Sequence, residues 1–184
     1  MSNPPDQEAV IEATHRWLEA AVIGLKLCPF AGLPWRQGRV RLRVSEATGV
    51  QPLLQDLADE LLVLDQASPA ECETTLLIHP RVLTDFLDYN DFLDPADELL
   101  QALGLDGTLQ IASFHPDYRF ADAPPDDPAH CTNRSPYPML HLLREASIEA
   151  ATAGLADPDA IYQRNIQTMR ALGIAGWRQL IESG

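Results

Sequence analysis

An α/β domain with a small sheet of three to four strands packed against helices is the fold class the sequence predicts. Three observations predict it. Apolar residues recur at helical spacing in several separate segments; short alternating or continuous apolar runs stand between them; and Pro, Gly and Asp punctuate the junctions. The order read is α-β-α-β-α-β-loop-α-α-α, with a split, ferredoxin-like α+β sandwich as the alternative. A chain of 184 residues, 46% of them hydrophobic, is long enough for one domain, read over 1–184, to bury a core without staples.

The first helix is read over 6–27, where Val10, Ile11, Trp17, Leu18, Ala21, Val22 and Leu25 share one face and Pro29 stops the pattern. After the turn-rich "CPFAGLPWRQG", the stretch "RVRLRVSE" alternates Val40, Leu42 and Val44 with Arg39, Arg41 and Arg43, the period-two pattern of a strand with one wet or paired face. Residues 50–66, rich in leucine at helical spacing, form the second helix, and "ETTLLIH" is a more deeply buried strand. A helix follows over 84–93, with Asp94-Pro95 restarting it as N-cap and first residue until Gly104 ends it. "GTLQIASF" is the third strand. The Pro- and Asp-rich segment 116–138 is a long irregular loop, a kind that is usually functional or mobile in a compact domain. Ser135-Pro136 is read as opening a helix to about Ala153, Asp157-Pro158 another to about Leu172, and a short last helix contains Trp177 and Leu180.

Composition excludes several classes of function. The formal net charge is −14 and Lys26 is the sole lysine, so a nucleic-acid or anionic-membrane partner is not expected. No apolar run is long enough to span a bilayer and the N-terminus lacks a signal pattern, which predicts a cytoplasmic protein. Cys28, Cys72 and Cys131 are widely spaced and odd in number, the pattern of reduced thiols rather than a disulfide or CxxC zinc framework. A small anionic ligand remains open, since one or two well-placed arginines suffice to hold it.

Candidate chemistry concentrates at strand ends. His79-Pro80 and His115-Pro116 each close a strand, because proline ends ladder pairing and leaves the preceding histidine at the rim. With parallel strands joined by right-handed crossovers, both imidazoles would face one crevice at the carboxyl edge. Asn133, Arg134 and Ser135 at the expected helix start would offer free N–H groups and a guanidinium to a carboxylate or phosphate. On that helix Tyr137, His141, Arg144 and Glu145 would share a face, with His141 and Glu145 paired at i,i+4. "TDFLDYNDFLD" carries Asp85, Asp88, Asn90, Asp91 and Asp94 around aromatic anchors. That is a solvated acidic face, with Tyr89-Asn90-Asp91 kept as a pocket wall. Cys28 follows a helix carboxyl end, where the dipole disfavours a thiolate. No GxSxG, HExxH, P-loop or GxGxxG fingerprint occurs.

The expected function is therefore an enzyme acting on a small polar, anionic substrate. His115 or His141 would be the acid/base, Asp117 or Glu145 the orienting carboxylate, and Arg134 and Arg144 the anion clamps. Asn133, Ser135, Tyr137, His79 and Asn90 would be further contacts. The metal-assisted variant places a divalent ion on His115, Asp117 and His141. A non-catalytic module that binds a metabolite or protein is the alternative.

The stretches "GLKLCPFA", "TTLLIHP", "DFLDYNDFLD", "QIASFHPDYRFA" and "TNRSPYPMLHLLREASI" resemble a family of bacterial proteins defined only as a domain of unknown function, DUF1415. The resemblance covers nearly the whole chain. It implies a single cytosolic domain and brings no assigned activity with it.

Overall fold

The computed structural model describes residues 6–153, 157 and 159–182. Helix α1 (Gln7–Trp17) continues as a π-helical turn (Leu18–Ile23), and a short α2 (Gly32–Arg36) leads to β1 (Val40–Val44). Then come α3 (Val50–Gln66), β2 (Thr74–Ile78), α4 (Phe86–Ala102) and β3 (Leu109–Phe114). A 3₁₀ segment (Pro128–Asn133) precedes β4 (Met139–Arg144), α5 (Glu145–Thr152) and α6 (Asp159–Glu182). The four strands form one mixed sheet in the order β1-β2-β4-β3.

Strand β1 runs parallel to β2, and β4 runs antiparallel to both β2 and β3. Hence β1, β2 and β3 all point the same way, and their carboxyl ends share one edge as the crossover argument requires. The inserted strand β4 starts at that edge, with Met139 opposite both Ile78 and Phe114.

Side-chain alternation splits the sheet between two cores. On the first face Leu77, Leu140, Leu142 and Leu109 pack against Leu53, Leu57, Leu61 and Leu64 of α3 and Tyr89, Phe92, Ala96 and Leu100 of α4. On the second face Val44, Leu76, Ile78 and Met139 meet Val10, Trp17 and Ala21 from the first helix and Met169 and Trp177 from α6. The period-two arginines of β1 lie along the sheet's outer strand. Arg39 pairs with Glu73 at 2.6 Å and Arg41 with Glu60 at 2.7 and 3.0 Å, while Arg43 approaches Glu60 at 3.6 Å. Charges along an edge strand discourage pairing with another chain.

Two expectations are corrected. The helix expected from Ser135 is a loop followed by β4, and helical structure begins only at Glu145. The run "MLHLLR" is apolar nearly throughout because β4 is central and covered on both faces, and such a strand mimics a helical face. The restart at Asp94-Pro95 is also absent: α4 runs unbroken through Pro95, held by buried Phe92, Ala96 and Leu100 on either side. At the carboxyl terminus, by contrast, the two expected helices are found as one element broken at Gly173, whose φ of 72° lies in the left-handed region. Pro158, read as a helix start, lies outside the described residues, as do 1–5, 154–156 and 183–184.

Candidate functional site

The carboxyl edge gathers much of what the sequence singled out. His79 and His115 follow β2 and β3 directly, flank the start of β4, and are both 0% exposed. Tyr89 of α4 stands between them, stacked on His79 at 5.8 Å and tilted against His115 at 5.0 Å. Its hydroxyl donates to the Met139 carbonyl (2.8 Å) and accepts from the Phe114 N–H (3.0 Å), so one phenol stitches the ends of β4 and β3 together. Burial raises that phenol's pKa and keeps it protonated, as the donor role needs.

Neither histidine faces an open crevice. Each donates a ring N–H to one of two successive carbonyls of the segment 80–85: His79 Nδ1 to Val82 O (2.9 Å) and His115 Nε2 to Leu83 O (3.2 Å). The other nitrogen of His115 accepts from the Asp117 backbone N–H at 3.0 Å. His79 Nε2 is a buried acceptor with no hydrogen-bond partner among the described residues. Burial pushes the His79 pKa down to about 4 and also lowers that of His115, where the Leu83 carbonyl, Asp117 and Asp85 oppose it only in part. Both rings are neutral at pH 7.

The two imidazoles thus strap down a segment that carries backbone strain. Leu83 has φ +57°, a conformation costly for a side chain with Cβ. The strap ends at Asp85, an exposed N-cap that accepts from Leu87 N (2.8 Å) and Asp88 N (3.3 Å). Losing such a cap costs about 1 kcal/mol. In Asp85→Ala, amide exchange at residues 81–88 is therefore expected to rise about fivefold, with Leu77 and Leu140 in the sheet unchanged. An equal rise at the sheet amides would show that the strap does not open by itself.

The remaining candidates are dispersed. Asn133 belongs to the edge: its carbonyl accepts from His115 N (3.2 Å) and its amide donates to Ser113 O (3.2 Å), prolonging the pairing of β3. Ser135 donates to Tyr137 O at 2.7 Å within a turn, so it caps no helix, and Tyr137 packs on the second core. Asp117 and Asn90 are exposed, Asn90 on the outer side of α4. Arg144 sits at the opposite end of the sheet. Its Nη2 donates to the carbonyls of Leu64 and Ala67 (each 2.7 Å) and Cys72 (2.9 Å), closing the carboxyl end of α3. That role replaces the expected anion clamp.

Glu145 begins α5, so the expected i,i+4 pair with His141 does not form, and the intervening extended chain spans roughly 13 Å. His141 and His115 are separated by the sheet. The first has its ring 6.1 Å from Phe114 on the second face; the second contacts Phe86 and Tyr89 of α4 on the first. Among the described residues no three His, Cys, Asp or Glu side chains are grouped to hold a metal ion, so His115, Asp117 and His141 are not brought together as ligands.

His141 is nonetheless a prepared group. The single proton of Thr74 Oγ1 goes to Leu142 O (2.5 Å), so its contact with His141 Nε2 (2.8 Å) requires that nitrogen to carry hydrogen. The tautomer is fixed and Nδ1 keeps its lone pair. The ring is half-buried, and burial pushes its pKa down to about 4.

Arg134 lies in the loop that crosses the carboxyl edge into β4. Its carbonyl accepts from Trp17 Nε1 (2.9 Å), its Nε donates to Tyr118 O (3.3 Å), and its guanidinium stands against the Cys131 thiol. It is half-buried and has no carboxylate partner among the described residues. Unforeseen was His130. It is 1% exposed and clamps the long loop by accepting from Phe120 N (3.1 Å) and donating to Pro124 O (2.8 Å).

A separate cleft of about 520 Å³ opens at the end of β1, lined by Gln7, Arg43, Glu46, Ala47 and Asp56 among others. Ser45 donates to Asp56 at 2.5 Å beside it, and Arg43 leans towards Glu60. None of the sequence candidates lines it, and its carboxylates disfavour an anion. Cys28 is half-buried, and burial raises its thiol pKa, so it is no ready nucleophile. No described helix is long and apolar enough to cross a membrane.

In comparison with protein families, the model for "Protein of unknown function (DUF1415)" matches residues 9–179. The chain belongs to that family. No curated protein and no solved structure matches it.

Proposed function

We propose that the chain binds a small anionic molecule at Arg134, on the carboxyl edge of the sheet. The observation that carries this reading is electrostatic. The chain has 27 acidic and 13 basic residues, yet this half-buried guanidinium has a carbonyl and a neutral thiol beside it and no described carboxylate. A cation withdrawn from water is normally paired, and a fork of N–H donors matches carboxylate or phosphate oxygens. The carboxyl ends of the strands are also the side on which open α/β sheets bind ligands.

Thermal unfolding of the full chain in inorganic phosphate and in acetate, each at constant ionic strength, tests the reading. The wild-type midpoint should rise with anion concentration, and Arg134→Gln should abolish the rise while keeping the anion-free midpoint within a few degrees. An equal rise in the variant would remove Arg134 as the seat.

The catalytic reading has one observation in its favour: the fixed tautomer and free Nδ1 of His141. In that reading His141 accepts a proton or hydrogen bond from the bound molecule, on the same sheet face as Trp17 and Cys131. Its ring nitrogens, followed by ¹⁵N chemical shift, should respond when phosphate saturates the protein. Unmoved His141 resonances at saturation would leave a binding module rather than an enzyme.

A further inference from the structure

We propose that the cleft at the end of β1 binds a small zwitterion of the amino-acid type, its carboxylate against Arg43 and its ammonium against Asp56 and Glu46. This site is separate from the Arg134 seat and goes beyond that reading in both place and ligand charge.

Local structure holds the two kinds of charge apart. Alternation along β1 turns Val44 into the second core and sends Arg41, Arg43 and Ser45 towards α3. On that helix Asp56 and Glu60 stand one turn apart and receive these side chains. Glu60 is filled by Arg41, which donates to both of its oxygens at 2.7 and 3.0 Å. Arg43 stops 3.6 Å from Glu60, beyond hydrogen-bond reach, so its fork of donors stays open. Asp56 is fixed from behind instead. Ser45, 1% exposed, donates to its Oδ2 at 2.5 Å, and the same hydroxyl oxygen accepts the Ala47 N–H at 3.1 Å. The other oxygen of Asp56 accepts no hydrogen bond among the described residues.

The cavity joins these groups. Arg43, Glu46 and Asp56 line one cleft of about 520 Å³, within the range of roughly 300 to 1,000 Å³ usual for small-molecule sites. Arg43 has its ion pair with Glu60, so its guanidinium lies more than 4.0 Å from both the Glu46 and the Asp56 carboxylates. Opposite charges that line one space without touching leave room for a molecule carrying both. An anion alone would meet two carboxylates, and a cation alone would meet the guanidinium. A zwitterion sets each charge against its opposite. Val44, Ala47 and Pro52 add an apolar wall on which an aliphatic side chain can rest.

The experiment is ligand-observed saturation-transfer NMR on the full chain with L-leucine, the dipeptide Leu-Leu, N-acetylleucine, which lacks the ammonium, and leucinamide, which lacks the carboxylate. Arg43 and Glu46 are exposed, so Arg43→Gln and Glu46→Gln leave the fold intact, as an unchanged thermal midpoint will show. Leucine or the dipeptide should bind at least about tenfold more tightly than either half-charged analogue. Arg43→Gln should bring leucine down to the level of leucinamide while leaving leucinamide within about twofold, and Glu46→Gln should weaken leucine but not N-acetylleucine. The tighter of leucine and Leu-Leu tells whether the site takes a free amino acid or a peptide. Equal binding of leucine and its two analogues, no binding of leucine or Leu-Leu, or leucine affinity unchanged in Arg43→Gln would overturn the inference. Arg134→Gln should leave leucine binding as it is in wild type. Loss of leucine there would move the ligand to Arg134 and overturn the cleft site, whereas failure of the Arg134 seat alone leaves the cleft standing.

Discussion

Lowering the pH from 7.5 to 4 removes about 3 kcal/mol of folding stability through His79. The native ring is fully buried with a pKa near 4, against about 6.5 in the unfolded chain. Between those values the unfolded state binds a proton that the native state does not. Stability is therefore complete above about pH 6.5, falls as the pH drops towards 4, and is flat with respect to this group below that. The physical cause is the ring's hydrogen bonding: Nδ1 already donates to Val82, and a proton on Nε2 would meet no acceptor. His115 adds to the loss with the same sign, since a proton on Nδ1 would confront the Asp117 N–H that it now accepts.

Urea unfolding at pH 7.5 and pH 4.5 checks this, with His79→Asn as the control. Asparagine retains an amide donor near the Nδ1 position and has nothing to titrate. The variant should lose distinctly less stability over the interval than wild type, even if it is less stable at pH 7.5. Parallel losses in the two proteins would place the acid sensitivity elsewhere, the half-buried His141 being next in line.

How much of this was legible beforehand depended on where each residue's constraint lies. The histidines before Pro80 and Pro116 were readable as strand ends because proline acts locally, on its own missing N–H and its neighbour's backbone. Their shared edge followed from the handedness of the crossovers. Their burial did not follow, because it depends on α4 laying Tyr89 between them and on a strap whose carbonyls take their protons.

The segment from Ser135 to Arg144 was misread for a related reason. Ser-Pro before an apolar run is a sound local signal for a helix, but β4 is held by ladders to β2 and β3 on both sides. Those partners are distant in sequence, and they override the local preference. The misreading carried the site with it. A helix would have placed Tyr137, His141, Arg144 and Glu145 on one face, whereas the strand spreads them from one end of the sheet to the other. Arg134 kept its significance because its position at the edge needs only the loop, and its missing partner becomes visible only in three dimensions.

Arg144 shows the same inversion and makes the second large prediction. Replacing it by alanine should cost about 3 kcal/mol of stability and leave anion binding unchanged. The two hydrogens of its Nη2 are shared among three carbonyls, those of Leu64, Ala67 and Cys72, and bonds from a charged donor are worth more than neutral ones. The carbonyls belong to the end of α3 and the turn into β2, where a helix leaves its last acceptors unpaired and carries partial negative charge. One hydrogen is shared between two acceptors and water replaces part of what is lost, so the cost stays below the sum of two full charged bonds. Arg144→Lys should recover only part of it, because an ammonium on a flexible stem does not reproduce the orientation of the planar fork. Chemical denaturation of the three proteins, with phosphate titration alongside, separates the roles. A stable Arg144→Ala protein that no longer binds phosphate would return Arg144 to the ligand site, and an unstable one that binds normally fixes it as the tie between β4 and the end of α3.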